Sequence, residues 1–267
     1  MILASASPLS LTLAIGASAA YVVSAIGANR LGLAAARATL WLAWLAHGAL
    51  LAWSLLGPEP RFGFAPALSV TAWLVAAVYA IESQLYPLLQ TRWALSMLGA
   101  VAVLLGLLFP GNPLHANASP WLPLHWAFGI ASYGLFAAAV LHAWLTTRAE
   151  ERIRHAADPH SGMPLLTMER LTFRFVGVGF LLLSATLLVG LLFGNQLYGS
   201  AASRHWDHKT AFSVLSWLTF AILLVGRARF GWRGRRAVRG VYIGSALLLL
   251  AYVGSRFVME IILGRSV

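Results

Sequence analysis

The sequence predicts an all-α, polytopic membrane protein, built as a bundle of about eight transmembrane helices. Of its 267 residues, 60% are hydrophobic and 10% are charged, and the mean hydropathy is +0.77. Soluble domains carry about 25% charged residues, so a soluble globular protein is excluded. The apolar residues also form runs near the ~20 residues that a helix needs to cross a bilayer, and basic residues fill alternate loops between these runs.

Eight apolar runs follow one another along the chain. They cover residues 9–28, 37–56, 66–86, 94–110, 122–146, 171–194, 210–226 and 239–262. Glycine and proline clusters end the second run, at Gly57-Pro58, and the fourth, at Pro110-Gly111, because these residues break helices. No stretch remains for a soluble domain, so we expect one integral-membrane domain over 1–267.

The fifth run carries two further local signals. Pro123 lies in its first turn and fixes the entry geometry. Beyond the run, Glu150 and Arg154 are four residues apart, a spacing that places opposite charges on one helix face. The helix is therefore predicted to continue past the membrane as a charged extension, broken near Asp158-Pro159.

The basic residues predict the orientation of the chain. Most of the 19 Lys and Arg residues lie in the loops near 30–37, 92, 148–174 and 227–239. Cytoplasmic loops are enriched in these residues, so both termini are predicted to be external. The same alternation explains the net charge of +11 without nucleic acid, which would require a basic face on a folded soluble domain. With no cysteine in the chain, disulfides, thiolate metal sites and covalent haem attachment are excluded.

Three histidines are candidate functional residues, because ionisable groups in membrane spans are costly. His47 follows Arg37 by ten residues, which places it about 15 Å into its helix, near the midplane. His125 opens the fifth run, and His208 precedes the seventh. By topology these last two are expected at the same external interface. A structural alternative stays open for His47, which could bond to a neighbouring helix.

Histidine and aromatic residues together permit a haem site. Imidazoles are common axial ligands of haem iron, and arginine pairs with carboxylates such as propionates. The chain has 12% aromatic residues, including 11 Trp. Aromatic belts at the membrane interface also use such residues, so composition alone does not select haem.

Four segments carry a family resemblance. They resemble the cytochrome c assembly family that contains CcsA and CcmC, and within it the short HemX-like and YpjD-like inner-membrane branch. The segments are Trp121 to Phe136 (WLPLHWAFGIASYGLF), Met163 to Arg170 (MPLLTMER), Trp206 to Trp217 (WDHKTAFSVLSW) and Gly231 to Phe257 (GWRGRRAVRGVYIGSALLLLAYVGSRF).

The resemblance implies a multi-pass protein of the bacterial cytoplasmic (inner) membrane that binds non-covalent, b-type haem and assists cytochrome c biogenesis. Its expected partners are the lipid bilayer and cytochrome c maturation proteins. His125 matches the family's external histidine in a W-L-x-x-H pattern, and His47 corresponds to an early intramembrane histidine. Trp206 and Asp207 match a Trp-Asp pair expected to contact the porphyrin edge. As a hypothesis of our own, His208 is a second external ligand.

Departures from the family pattern favour an assembly factor over an enzyme. The tryptophan-rich loop is degenerate, with His208 at a proline position, and Gly226 occupies a place where full-length synthetases have a histidine. Haem-ligase activity is therefore not expected. An alternative function is a HemX-type membrane regulator or scaffold, which contacts tetrapyrrole-synthesis enzymes through loops 146–170 and 227–239.

Overall fold

A computed structural model describes residues 8–27, 32–58, 60–85, 92–113, 121–154, 164–198 and 208–263. Over these residues the chain is almost entirely helical, which confirms the all-α prediction and the number of eight helices. The helices are α1 Pro8–Gly27, α2 Leu33–Leu56, α3 Phe64–Leu85, α4 Arg92–Leu108, α5 Trp121–Arg154, α6 Leu165–Tyr198, α7 His208–Phe230 and α8 Arg235–Leu249. The last helix continues through a π-helical segment, Leu250–Gly254, a single α-helical turn, Ser255–Phe257, and a second π-helical segment, Val258–Ile262.

Within the described ranges, six helices are long and apolar enough to cross a membrane. These are α1, α2, α5, α6, α7 and α8 with its continuation to Phe257. The apolar parts of α3 and α4 are shorter, Phe64–Ala80 and Ala94–Leu108, so crossing by these two helices stays a prediction, as does the external position of the termini. The predicted extension of the fifth helix is confirmed, because α5 runs to Arg154. The predicted break near Asp158-Pro159 lies outside the described residues.

The chain divides into two compact units. One contains α1 to α4 together with the residues from Arg256 onward, and the other runs from 115 to Ser255. The single domain over 1–267 stays a prediction. In the first unit, two short antiparallel strands, β1 Arg61–Phe62 and β2 Asn112–Pro113, bring the loops that follow α2 and α4 together.

Close helix contacts hold the first unit together. Gly99 on α4 faces the ring of Tyr21 on α1, and a Cβ at Gly99 would lie only 2.7 Å from that ring. The Ser96 hydroxyl on α4 donates to the Ser24 hydroxyl on α1 at 3.1 Å. Small residues therefore let α1 and α4 approach each other, as at other membrane helix interfaces.

In the second unit, α5 and α6 pack antiparallel along their length. Successive contacts pair Phe136 with Gly179, Gly129 with Thr186, and His125 with Gly190. The residue numbers fall along α5 as they rise along α6, which shows that the two helices run in opposite directions. The core is centred on Phe136, whose ring stacks on Phe220 of α7 with centroids 3.8 Å apart. It is completed by apolar side chains from α6, α7 and α8.

The π-helical continuation of α8 begins where another helix supplies a hydrogen bond. The Tyr133 hydroxyl of α5 donates to the carbonyl oxygen of Leu248, two residues before the π-helical segment Leu250–Gly254. A π-helical segment disturbs the regular backbone bonding of an α-helix. Tyr133 thus satisfies a backbone acceptor at this transition.

Candidate functional site

His47 lies in the first unit and is fully buried, with 0% of its surface exposed. Its Nε2 is 2.8 Å from the Ser69 hydroxyl on α3, and its Nδ1 is 3.2 Å from the Tyr21 hydroxyl on α1. The imidazole therefore connects three helices. Both ring nitrogens have hydrogen-bond partners, so coordination of iron by His47 would require one of these bonds to break.

Two tryptophans near His47 form a contact between α2 and α3. The indole rings of Trp44 on α2 and Trp73 on α3 stack with centroids 4.7 Å apart. Each indole N–H donates to the other residue's backbone carbonyl, at 3.1 Å from Trp44 and 2.9 Å from Trp73. A Cβ at Gly48 would lie 3.1 Å from the Trp73 indole nitrogen, so the glycine makes room for this pair. The indole N–H groups of both tryptophans therefore have hydrogen-bond partners within the protein.

His125 lies near the start of α5 in the second unit, and its side chain is half-buried. Its Nδ1 is 3.1 Å from the backbone carbonyl oxygen of Thr186 on α6. A carbonyl only accepts, so Nδ1 carries the proton in this bond. In a neutral imidazole the lone pair is then on Nε2, the arrangement in which a backbone acceptor orients a metal-ligating histidine.

An aromatic pair lies one turn from His125. The rings of Trp121 on α5 and Phe193 on α6 stack with centroids 4.1 Å apart and an interplanar angle of 12°. Gly190 lies on the same face of α6, and a Cβ there would be 3.5 Å from the His125 ring. His125, Trp121, Phe193 and Gly190 therefore form one cluster at this end of the α5–α6 pair, which we call the His125 cluster.

The structure gives less information about the positions of the other predicted site residues. His208 is the first residue of α7, and its side chain is exposed. Trp206 and Asp207 lie outside the described residues. His125 and His208 belong to the second unit and His47 to the first, so convergence of the three on one cofactor stays a prediction. In the described part of the chain, no three His, Cys, Asp or Glu side chains form a group able to hold a metal ion.

His142 is a second fully buried histidine, whose depth the sequence did not predict. Only 1% of its surface is exposed. Its ring packs against Phe175 of α6 with centroids 5.3 Å apart. His142 therefore forms part of the packing contact between α5 and α6.

An ion-pair cluster lies where α6 begins and α7 ends, and sequence reasoning gave it no role. Arg227 donates to the Glu169 carboxylate at 2.5 Å and to the Trp232 carbonyl at 3.2 Å. Its guanidinium also lies 4.6 Å from the Phe173 ring centroid. The segments MPLLTMER and GWRGRR contain Glu169 and Trp232, so two of the segments that carry the resemblance meet here.

The turn after α7 brings Trp232 back onto that helix. Gly231 and Gly234 have φ values of 62° and 55°, which glycine adopts without steric cost. The Trp232 N–H donates to the Gly226 carbonyl at 3.2 Å. A Cβ at Gly226 would overlap the Trp232 indole. A histidine at 226 therefore could not be accommodated with Trp232 in this position.

Comparisons of the sequence with known proteins identify a family and several relatives. The family model for the cytochrome c assembly protein matches residues 33–263. The chain is 31% identical to the inner membrane protein YpjD of Escherichia coli K12 over 150 residues, which cover 55% of this chain and 56% of YpjD. It thus spans little more than half the length of that relative. No solved structure matches.

Two further relatives match over a larger part of the chain. A 28.8 kDa protein of the nifR3-like 5' region of Azospirillum brasilense is 33% identical over 228 residues, or 80% of this chain and 82% of that protein. The cytochrome c biogenesis protein CcsA of Prochlorococcus marinus is 27% identical over 230 residues, or 81% of this chain and 69% of CcsA.

Proposed function

The chain belongs to the cytochrome c assembly protein family, and from this membership we propose that it binds haem in the bacterial inner membrane and assists cytochrome c biogenesis. Family membership and the similarity to CcsA support a role in cytochrome c biogenesis. Haem binding, its site and its presentation at the external face are our proposal.

The observation that carries the haem proposal is the hydrogen bond from His125 Nδ1 to the Thr186 carbonyl. It fixes the proton on Nδ1 and directs the Nε2 lone pair away from Thr186, so His125 has the donor chemistry of a neutral axial ligand. Bound haem would supply an iron centre that accepts an imidazole nitrogen as a ligand. Trp121 and Phe193 supply flat apolar surface in the same cluster, which suits a porphyrin.

The remaining ligand assignments rest on position. His208 begins α7 with an exposed side chain, so it is available as a candidate second ligand. Trp206 and Asp207 precede it directly and are proposed to contact the porphyrin edge. His47 is proposed as an intramembrane ligand on the haem path, which would require its bond to Ser69 or Tyr21 to open.

We further propose that the protein acts as an assembly factor without ligase activity of its own. The contact between Gly226 and Trp232 supports this, because the indole occupies the space that a histidine at 226 would need. A cytochrome c maturation protein would then receive the haem. In this scheme the chain holds and orients haem, and its residues do not catalyse the covalent attachment of haem to cytochrome c.

A regulatory or scaffolding function in tetrapyrrole biosynthesis is the second candidate. It is favoured by the length of α5, which extends to Arg154 with exposed charged side chains in its last turns. Such a charged helix end could contact a tetrapyrrole-synthesis enzyme. A deletion strain separates the two functions: loss of c-type cytochromes supports assembly, whereas altered haem precursors with normal cytochromes support regulation.

The haem proposal is tested with the full chain purified in mild detergent from haem-replete cells. We expect a Soret band that falls strongly in His125→Ala and returns when free imidazole is added, because imidazole can replace the missing ligand. His208→Ala and His47→Ala are measured in parallel, and thermal unfolding verifies that each variant is folded. No haem absorbance in the unmodified protein, or a band indifferent to all three substitutions, would contradict the proposal.

A further inference from the structure

A groove of about 300 Å³ separates the last turns of α5 from the first turns of α8. Its volume is at the small end of the ~300–1,000 Å³ range of ligand sites. Charged groups of both signs line it: Arg148, Glu150 and Glu151 from α5, and Arg235 and Arg239 from α8. All of them belong to the second unit, and none belongs to the His125 cluster.

In the described part of the chain, the charged side chains of the groove are not joined to one another in ion pairs. Among the residues that the structure describes, neither Glu150 nor Glu151 forms an ion pair with any of the three arginines. Arg148 instead lies over the Trp144 ring, 5.2 Å from its centroid, a cation–π contact. Arg235 and Arg239 are four residues apart and share a face of α8. The groove thus presents separate cationic and anionic groups.

Polarity changes along the groove in one direction. Trp144 precedes Arg148 by one turn of α5, and Tyr242 follows Arg239 by one turn of α8. Both residues lie nearer the middle of helices that are long and apolar enough to cross a membrane. Tryptophan and tyrosine are enriched where membrane meets water. The charged groups therefore lie at the helix ends and the amphipathic rings lie toward the membrane-spanning segments.

We propose that this groove binds the headgroup of a phospholipid that carries both a phosphodiester and a primary ammonium, as phosphatidylethanolamine does. Basic pockets between membrane helices bind phospholipid headgroups. Here the arginines would donate to the phosphate oxygens in charge-assisted hydrogen bonds, and the glutamates would accept from the ammonium. Trp144 and Tyr242 would contact the upper part of the acyl chains.

The two carboxylates distinguish this headgroup from other lipid headgroups. A phosphatidylglycerol headgroup offers no cation to Glu150 and Glu151, and the quaternary ammonium of phosphatidylcholine has no N–H to donate. Glycerophosphoethanolamine has the same charges but no acyl chain, so it would leave the amphipathic part of the groove uncovered. The groove therefore fits a lipid that remains in the membrane. The proposal is independent of the haem function.

The test is native mass spectrometry of the full chain, delipidated in mild detergent and titrated with ethanolamine, choline and glycerol phospholipids of identical acyl chains. We expect phosphatidylethanolamine to bind at the lowest concentration. The double variant Arg235→Gln/Arg239→Gln should weaken that binding by about tenfold or more, because it removes two charge-assisted bonds. Glu150→Gln/Glu151→Gln should reduce the preference for phosphatidylethanolamine over phosphatidylglycerol.

The matched control is Arg236→Gln. Arg236 is exposed on the same turn of α8 but does not line the groove, so lipid binding should be unchanged. If the double variant does not fold, Arg239→Lys keeps the charge and should weaken binding less than Arg239→Gln. The proposal is overturned by equal binding of the choline and ethanolamine lipids, by equal effects of groove and control variants, or by glycerophosphoethanolamine competing as well as the lipid.

Discussion

The indole ring of Trp232 packs against the bare backbone of Gly226, close enough that a methyl group at 226 would overlap it. The contact closes the turn between α7 and α8 and keeps the Trp232 carbonyl within reach of Arg227. One glycine therefore positions a tryptophan, an arginine and, through Glu169, the start of α6.

Gly226→Ala should destabilise the protein. Forcing a methyl group against Trp232 is a small-to-large change in a packed site, which costs about 1–3 kcal/mol, and should lower the midpoint of thermal unfolding in detergent. Gly177→Ala is the matched control, since a Cβ there meets nothing within 4 Å and alanine favours helix by about 1 kcal/mol. If overlap with the indole is the cause, Gly226→Ala should lower the stability of a Trp232→Ala protein only slightly, because the indole is already absent. An equal cost in both backgrounds would contradict this explanation.

Arg227→Lys should also destabilise, although it keeps the positive charge. Lysine cannot reproduce the planar group that contacts Glu169, the Trp232 carbonyl and the Phe173 ring together. The side chains of Arg227 and Glu169 are part-buried, 28% and 16% exposed, so solvent screens their ion pair less than an exposed pair, which contributes about 0.2–1 kcal/mol. Arg229→Lys, at an exposed position two residues away, is the control. Equal unfolding midpoints for the two lysine variants would show that Arg227 acts as a simple surface charge.

How much of this the sequence could predict depends on the kind of interaction. Apolar runs bounded by glycine and proline suffice to predict helices, because a backbone in lipid must bond within its own segment. The charged end of α5 followed from the spacing of Glu150 and Arg154. The contacts of Arg227 with Glu169, and of Trp44 with Trp73, were not predictable, because helices that are apolar on all faces do not indicate which face meets which neighbour.

The same limit applies to the candidate site. His125 was identified from the resemblance, but its orientation depends on a carbonyl 61 residues away on α6. His47 was identified by its depth in α2, whereas its two partners, Tyr21 and Ser69, lie on other helices. No local pattern in the sequence connects such partners.

Ser69→Ala tests the structural role of His47. Removing the hydroxyl leaves a buried ring nitrogen without its partner, which costs about 1–3 kcal/mol, and should lower the unfolding midpoint. Tyr21→Phe should act similarly through Nδ1. Thr12→Ala is the control, because Thr12 is exposed and bonds only to the Leu9 carbonyl three residues away. If His47 is purely structural, Ser69→Ala leaves the haem content of the folded protein unchanged; a parallel change in the Soret band would instead support the proposed ligand role.

Gly190 provides the sharpest test of the His125 cluster. A Cβ at this position would lie 3.5 Å from the His125 ring, an ordinary contact, so Gly190→Ala should preserve both the bond to Thr186 and haem binding. Gly190→Val adds two methyl groups at the same point and should displace the imidazole. We expect the Soret band to fall in Gly190→Val and persist in Gly190→Ala, and added imidazole to restore it, because the iron would regain a nitrogen ligand. The contrary outcome is a valine variant that thermal unfolding shows to be folded and that binds haem as the alanine variant does. In that case the orientation of His125 by Thr186 does not matter for haem binding.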